Sequence, residues 1–290
     1  RIVVLRDGRN AGEFVTKNSS LGEVVEAMLG AKSTGLFEPQ RVTMGERETM
    51  LDVRELGFGR HLQGISFNVS KGEIFGVFGL VGSGIEHLGR VIYGALGGKV
   101  VGDIHIDGKP YHPTSASAGK VAGIGFVAAE RKKEGIFADL SLRENMVAAF
   151  TARYTSGPFV SRQMEEKETT RLIDALGIRT RGPGQIMRTL SGGNQQKVCV
   201  ARWLAGETRL LILEEPTRGV DVGARRDLYR ELRKLSESGL SVLMLSSDVE
   251  EVAGLSDRSI VIDRGTLVGR FRAGTPPEKL MAATATKQIH

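Results

Sequence analysis

The sequence holds a single cysteine, Cys199, in 290 residues. That excludes a disulfide within the chain and suits a reducing compartment. Its five histidines are scattered without the spacing of metal ligands, which argues against a zinc site. No apolar run approaches the roughly 18 residues that span a bilayer; the longest, residues 74–81, is broken by two glycines. There is no signal-peptide pattern. Neither sign of charge dominates: 40 Lys+Arg against 34 Asp+Glu leave a net +6. This permits an anionic partner without demanding one. A basic stripe or long insertion of the kind that nucleic-acid binding calls for is not evident, and Arg179, Arg181 and Arg188 read as a solvated loop. Glycine, by contrast, is abundant, with 38 residues, many at predicted turns and helix starts. Hydrophobic content of 40% and 26% charge are ordinary for a globular chain longer than one average domain.

Two blocks organise the chain. Residues 190–197, LSGGNQQK, read as a tight turn entering a helix. Ser191 is a candidate cap, and Gly192 and Gly193 leave backbone N–H groups open. Such an end attracts anions, because unpaired N–H groups and the helix dipole point the same way. Residues 210–221, LLILEEPTRGVD, read as a buried strand delivering Glu214 and Glu215 to its C-terminal edge, where open α/β sheets keep their ligands.

Earlier, residues 50–56, 64–69 and 73–78 are predicted strands. The turn GLVGSG (Gly79, Leu80, Val81, Gly82, Ser83, Gly84) follows the last of them and opens a predicted helix over 85–93. Strand, glycine-rich turn and helix is the context of a phosphate-binding loop, and the glycine spacing fits G-x-x-x-x-G-K-[ST]. The chemistry departs from it. Ile85 stands where lysine neutralises phosphate and Glu86 where a hydroxyl reaches Mg²⁺. Losing that charge-assisted contact, worth roughly 1.5–3 kcal/mol, weakens binding by about ten- to a hundred-fold. A protonated His87 is a weak substitute. Further strands are expected at 100–106, 109–111, 123–127 and 241–245. Helices are expected at 142–150, 162–176, 195–205 and 223–236, with a closing hairpin and helix.

Together, LSGGNQQK and LLILEEPTRGVD resemble the signature motif and Walker B strand of ATP-binding-cassette (ABC) ATPases. With RKKEG and DLSLRENM, they resemble the second cassette of simple-sugar importers that fuse two cassettes in one subunit. The resemblance covers residues 49–275. It implies an α/β, P-loop NTPase-like fold: a parallel α/β core, an antiparallel β subdomain and a helical insertion over about 139–190.

It also implies ATP and Mg²⁺ as ligands. Nucleotide contacts would fall at residues 79–86 (through Ile85 and Glu86), at Ser191, Gly192, Gly193 and Gln195 of the signature, at Asp221 and at Ser247. Glu214 replaces the usual metal-binding aspartate, and Glu215 matches the general base. Ala129 stands where a glutamine is usual, Ser247 where a histidine is usual. Phe58 falls where an aromatic often stacks on adenine, although a packing role fits it equally.

Residues 1–14 and 258–271 coincide at Arg1/Arg258, Val4/Val261, Gly8/Gly265, Gly12/Gly269 and Phe14/Phe271, each followed by a short helical stretch (21–29 and 277–283). Chance similarity between two hairpins is the alternative; the favoured expectation is that residues 1–30 are the tail of a preceding cassette, with 31–48 as linker and 49–290 as the ATP-binding domain. The implied partners are that preceding cassette, transmembrane permease subunits and, indirectly, a sugar-binding protein, at the cytoplasmic face of the membrane. Five altered residues (Ile85, Glu86, Ala129, Glu214, Ser247) beside an unaltered signature point to a degenerate site here and a completed site on the partner. The alternative is a regulatory or structural nucleotide-binding module that does not turn over.

Overall fold

The computed structural model describes residues 1–6, 9–16, 19, 27, 47–157 and 159–285. The predicted helix at 21–29, apart from Ala27, and the linker, apart from residues 47–48, lie outside the described residues.

Two strands start the chain, β1 (Ile2–Arg6) and β2 (Arg9–Phe14), paired as a hairpin. An antiparallel sheet follows, built from β3 (Thr49–Phe58), β4 (Leu62–Ser70), β6 (Val100–Ile106) and β7 (Lys109–Tyr111) in the order β4-β3-β6-β7. Inward residues such as Leu51, Val53, Ile65 and Val69 are buried while alternate neighbours face out, the period-two pattern of a half-covered sheet.

The larger sheet has six strands. β5 (Ile74–Phe78), β8 (Ile124–Val127), β11 (Leu210–Glu214), β12 (Ser241–Ser246) and β13 (Arg258–Asp263) run parallel, and β14 (Thr266–Arg272) closes one edge antiparallel; the order is β14-β13-β5-β12-β11-β8. β5, β11 and β12 are buried along their whole length. Continuous apolar runs of this kind are covered on both faces, as parallel strands are.

The register positions the site. Glu214 pairs with Leu245, and Ser246 pairs with Phe78. The three chain segments leaving these strands at Gly79, Glu215 and Ser247 therefore emerge side by side at one sheet edge.

Helix α1 (Ile85–Tyr93) follows β5, and its buried face carries Leu88, Val91 and Ile92. The helical part comprises α3 (Leu142–Val147), α4 (Arg162–Ala175) and α5 (Gly192–Leu204), with a short antiparallel hairpin of β9 (Thr155–Ser156) and β10 (Phe159–Val160) between α3 and α4. α6 (Val222–Glu237) follows β11, α7 (Val249–Leu255) follows β12, and α8 (Pro277–Ala285) ends the described chain.

Three helices differ from expectation. The helix predicted at 142–150 stops at Val147 and continues as 3₁₀ turns to Tyr154, because Phe150 leaves helical geometry (φ −134°, ψ 31°). Its ring lies edge-on to Trp203 at 6.0 Å, so tertiary packing overrides the local period. α2 (Ala116–Val121) and α7 were not anticipated. Both are short, and each is started by a cap, Ser115 accepting from the Ala118 N–H and Asp248 from the Glu250 and Glu251 N–H groups, rather than by a long amphipathic stripe.

Candidate functional site

The turn after β5 is a compact loop. Gly82 and Gly84 have φ of 84° and 98°, a left-handed backbone that glycine adopts without cost. Ser83 donates its N–H to the Leu80 carbonyl (2.9 Å) and accepts from the Gly265 N–H (2.7 Å), which anchors the loop to the β13–β14 hairpin. A Cβ on Gly84 would come within 2.4 Å of the His61 carbonyl. Val81 at the loop tip is almost wholly exposed, whereas Ile85 is buried. His87 stacks on His61 with centroids 4.0 Å apart, and the Phe58 ring leans on both. Burial, then the neighbouring His61, lowers the His87 pKa. It is a poor source of positive charge at neutral pH.

Beside this loop is a cavity of about 230 Å³ lined by Val81, Ile85, Glu86, Ala129, Glu215 and Ser247, with Arg90, Glu214, Arg218 and Leu245. Glu215 has φ 43°, a conformation that costs a non-glycine residue about 1–2 kcal/mol. Two bonds hold it there: its N–H donates to the Leu245 carbonyl (2.8 Å), and its Oε1 accepts from the Ser247 N–H (2.7 Å).

Glu214 is 5% exposed. Its Oε2 accepts from Arg90 Nη2 at 3.1 Å. Its Oε1 has no hydrogen-bond partner and lies 3.4 Å from where a Cβ on Gly89 would sit, beside Ile212 and Leu245. Burial pushes the Glu214 carboxyl up to about 7, against the pull of Arg90. Arg90 also grips Glu134 through both guanidinium ends, at 2.8 and 3.1 Å, and that contact lowers the Glu134 pKa. The guanidinium thus supplies, from within the chain, the cation beside Glu214. This donor set fits a divalent ion poorly: Arg90 and the Ala129 backbone N–H already serve the carboxylate, and Ala129 offers no side-chain ligand. Among the described residues no group of three or more His, Cys, Asp or Glu could hold a metal.

The signature turn is elsewhere; none of Ser191, Gly192, Gly193, Gln195 or Asp221 lines the cavity. Ser191 holds the N-cap position of α5 but makes no side-chain cap bond, a correction to the expected role. Its exposed Oγ instead accepts from Asn194 Nδ2 (2.9 Å). A Cβ on Gly193 would sit 2.4 Å from the Ala224 Cβ on α6, so packing as well as open N–H groups requires glycine there. Gln195 is buried and donates Nε2 to the Leu190 and Met187 carbonyls, bracing the turn from behind. Asp221 caps α6 by accepting from the Ala224 N–H (2.9 Å).

The family profile described as "ABC transporter" matches residues 62–218, from the antiparallel sheet past the paired acids of β11. The chain belongs to the ABC transporter family. Its architecture is that of the ABC cassette. A nucleotide-free ATP-binding cassette from an ABC transporter superposes with a TM-score of 0.70 at 20% identity, covering 83% of this chain and 97% of that one. A cassette in its ADP conformation superposes with a TM-score of 0.69, also at 20% identity, covering 85% and 97%. Similar curated proteins include the ribose import ATP-binding protein RbsA of Pseudomonas putida, 38% identical over 99% of this chain and 55% of that protein. RbsA of Bacillus licheniformis is 37% identical over 99% and 57%. This chain thus spans about half the length of the curated relatives it matches.

Sequence reasoning missed two cassette residues, Arg90 and Arg131. Arg90 sits on the cavity-facing side of α1, two turns beyond the loop, and its partners Glu134 and Glu214 are far away in sequence. Helical periodicity places it one turn beyond Glu86 on the same face, but nothing local names the acid it meets.

Proposed function

We propose that this cassette is part of the ATP-binding, energy-coupling subunit of an importer for a simple sugar. It would work beside a preceding cassette of the same polypeptide and transmembrane permease subunits at the cytoplasmic face of the membrane, with a sugar-binding protein supplying the solute. The ribose import role that the relatives' names carry supports the transport class. In this reading each nucleotide lies between one cassette's phosphate loop and the other's signature. The site built on residues 79–86 is degenerate, while Ser191–Gly193 complete the partner's site, where Mg·ATP is hydrolysed. The observation that carries the reading is the Arg90–Glu214 contact: the acid expected to hold Mg²⁺ already has a counter-cation, beside a loop whose lysine position is Ile85.

Residues 1–14 support the preceding cassette. Register and bulge are the same in the two hairpins: Ile2 pairs with Phe14 and Val4 with Gly12, as Ser259 pairs with Phe271 and Val261 with Gly269, each with its irregularity just after the valine. Gly12 packs near Phe14 and Ala27 as Gly269 packs near Phe271 and Ala283.

The direct test is equilibrium nucleotide binding by this chain with Mg²⁺. Weak binding, unchanged by a chelator, is expected; submicromolar Mg-dependent affinity would overturn the degenerate site. A second reading, a nucleotide-binding module without turnover, is favoured by the same salt bridge. Steady-state hydrolysis by full-length protein against this chain separates the two, since the transport reading requires turnover in the former.

A further inference from the structure

Arg131 opens the π-helical turn Arg131–Gly135 that follows β8. It is 8% exposed. Nη1 donates to the Arg218 carbonyl and Nη2 to the Gly219 carbonyl (2.8 Å). Both acceptors belong to the PTRGVD loop after Glu215, and Glu130 grips the same loop from outside through Arg218 (2.7 Å). The guanidinium also abuts the signature. A Cβ on Gly192 would come 2.7 Å from Arg131 Nη2 and 2.8 Å from the Gly219 carbonyl. Gly192 is a glycine because this side chain and this loop fill the space beside it.

The electrostatics are unusual. Arg131 Nε is buried without a partner, and no carboxylate pairs with the side chain among the described ion pairs. Its fixed positive charge lies at the N-terminal end of the 13-residue helix α5, the end that is itself positive. Two carbonyls offset only part of the desolvation of a guanidinium. The arrangement becomes favourable when an anion reaches the same helix end.

We propose that Arg131 is the positioning residue of the signature turn. It bolts the PTRGVD loop and the first residue of α5 to the chain leaving β8, and it biases that helix end toward a polyphosphate anion. This rests on the reading that Ser191–Gly193 serve the partner cassette's triphosphate. A lysine is a partial substitute, since an ammonium keeps the charge but cannot span two carbonyls in one plane.

The test is steady-state ATP turnover by the full-length protein. Arg131→Ala should lower kcat by about tenfold or more and also raise the apparent KM for ATP, because the guanidinium positions the signature turn for turnover and favours the polyphosphate anion already in the bound ground state. Arg131→Lys should recover part of the loss, which a purely structural defect would not. Gly192→Ala should lower kcat likewise, and adding it to Arg131→Ala should cost less than it does alone, because the clash with Nη2 is gone and only that with the Gly219 carbonyl remains. Should Arg131→Ala not fold, Arg131→Lys and Gly192→Ala carry the comparison.

Wild-type kcat in Arg131→Ala, or additive effects of the two substitutions, would overturn the proposal. Ser191→Ala separates the two levels. If it lowers turnover while Arg131→Ala does not, only the role of Arg131 fails. If Ser191→Ala leaves turnover intact, the cross-cassette reading falls and Arg131 falls with it.

Discussion

Asp257, 4% exposed, ties three elements together through one carboxylate. Its Oδ2 accepts from the Ile74 N–H (2.9 Å) at the start of β5, and its Oδ1 accepts from Arg233 Nη1 (2.7 Å) on α6. Arg233 in turn donates to the Leu255 carbonyl at the end of α7 (2.6 Å). Removing one partner leaves the other charge buried and alone, which costs about 3–5 kcal/mol. Asp257→Ala should therefore lower stability by that amount in urea unfolding, whereas Arg162→Ala, which breaks only the exposed i,i+4 pair with Glu166, should change it by less than about 1 kcal/mol.

Glu251 is a second buried acid with a different consequence. Ser246 Oγ and Tyr229 OH donate to it, yet burial outweighs them and pushes its pKa up to about 7. The folded state then binds a proton more tightly than the unfolded state, whose carboxyl titrates near 4.5. Glu251 therefore stabilises nothing extra as pH rises; its contribution falls between about 4.5 and 7 and is flat above. Glu251→Gln should flatten the decline of thermal midpoint with pH across that window, and an unchanged slope would remove Glu251 as its source.

At the scale of elements, two serines at helix starts do different work. Ser141 begins α3 with a reciprocal capping box: its Oγ accepts from the Glu144 N–H, and the Glu144 carboxylate accepts from the Ser141 N–H (2.8 Å). Ser141→Ala should cost about 1 kcal/mol. Ser191 stands at the N-cap of α5 without a cap bond, so Ser191→Ala should leave the unfolding midpoint of this chain almost unmoved, within about 0.5 kcal/mol, while the turnover of the full-length protein drops. A serine whose loss affects activity and not stability is one that faces a ligand.

The contrast also marks how far the sequence could be read. Strands β5, β11 and β12 were legible because continuous apolar runs bounded by glycine, proline or acids have few other solutions. The glycine-rich turn between β5 and α1 was legible because its glycines have fixed spacing between a strand and a helix. Ser191 was read as a cap because the sequence rule names the position, and the rule cannot see Asn194 taking the hydroxyl. The end of α3 depended on where Phe150 finds Trp203, and the role of Arg131 on two carbonyls 87 and 88 residues away. Such contacts are created by topology, so no local pattern announces them.

For the whole molecule, the proposed division of labour has a quantitative consequence. If the site on residues 79–86 is degenerate and the signature completes a partner's site, the full-length protein carries one tight ATP site, not two. Three local features would explain such a deficit: Ile85 lacks the lysine charge, Glu86 presents a carboxylate where a hydroxyl would reach the metal, and Glu214 is held by Arg90. The lysine alone accounts for roughly 1.5–3 kcal/mol, and converting Glu86 removes a repelling charge from the cavity mouth. Equilibrium dialysis of full-length protein with Mg·ATP should give one bound nucleotide per polypeptide at micromolar ligand. The triple variant Ile85→Lys, Glu86→Thr, Glu214→Asp should approach two, because the shorter aspartate cannot keep the same contact with Arg90 and frees an oxygen toward the phosphates. Two tight sites in the wild type would show that the loop grips nucleotide without its lysine. One site persisting in the triple variant would place the defect beyond these three side chains, at Ala129 and Ser247, where glutamine and histidine would be the next residues to restore.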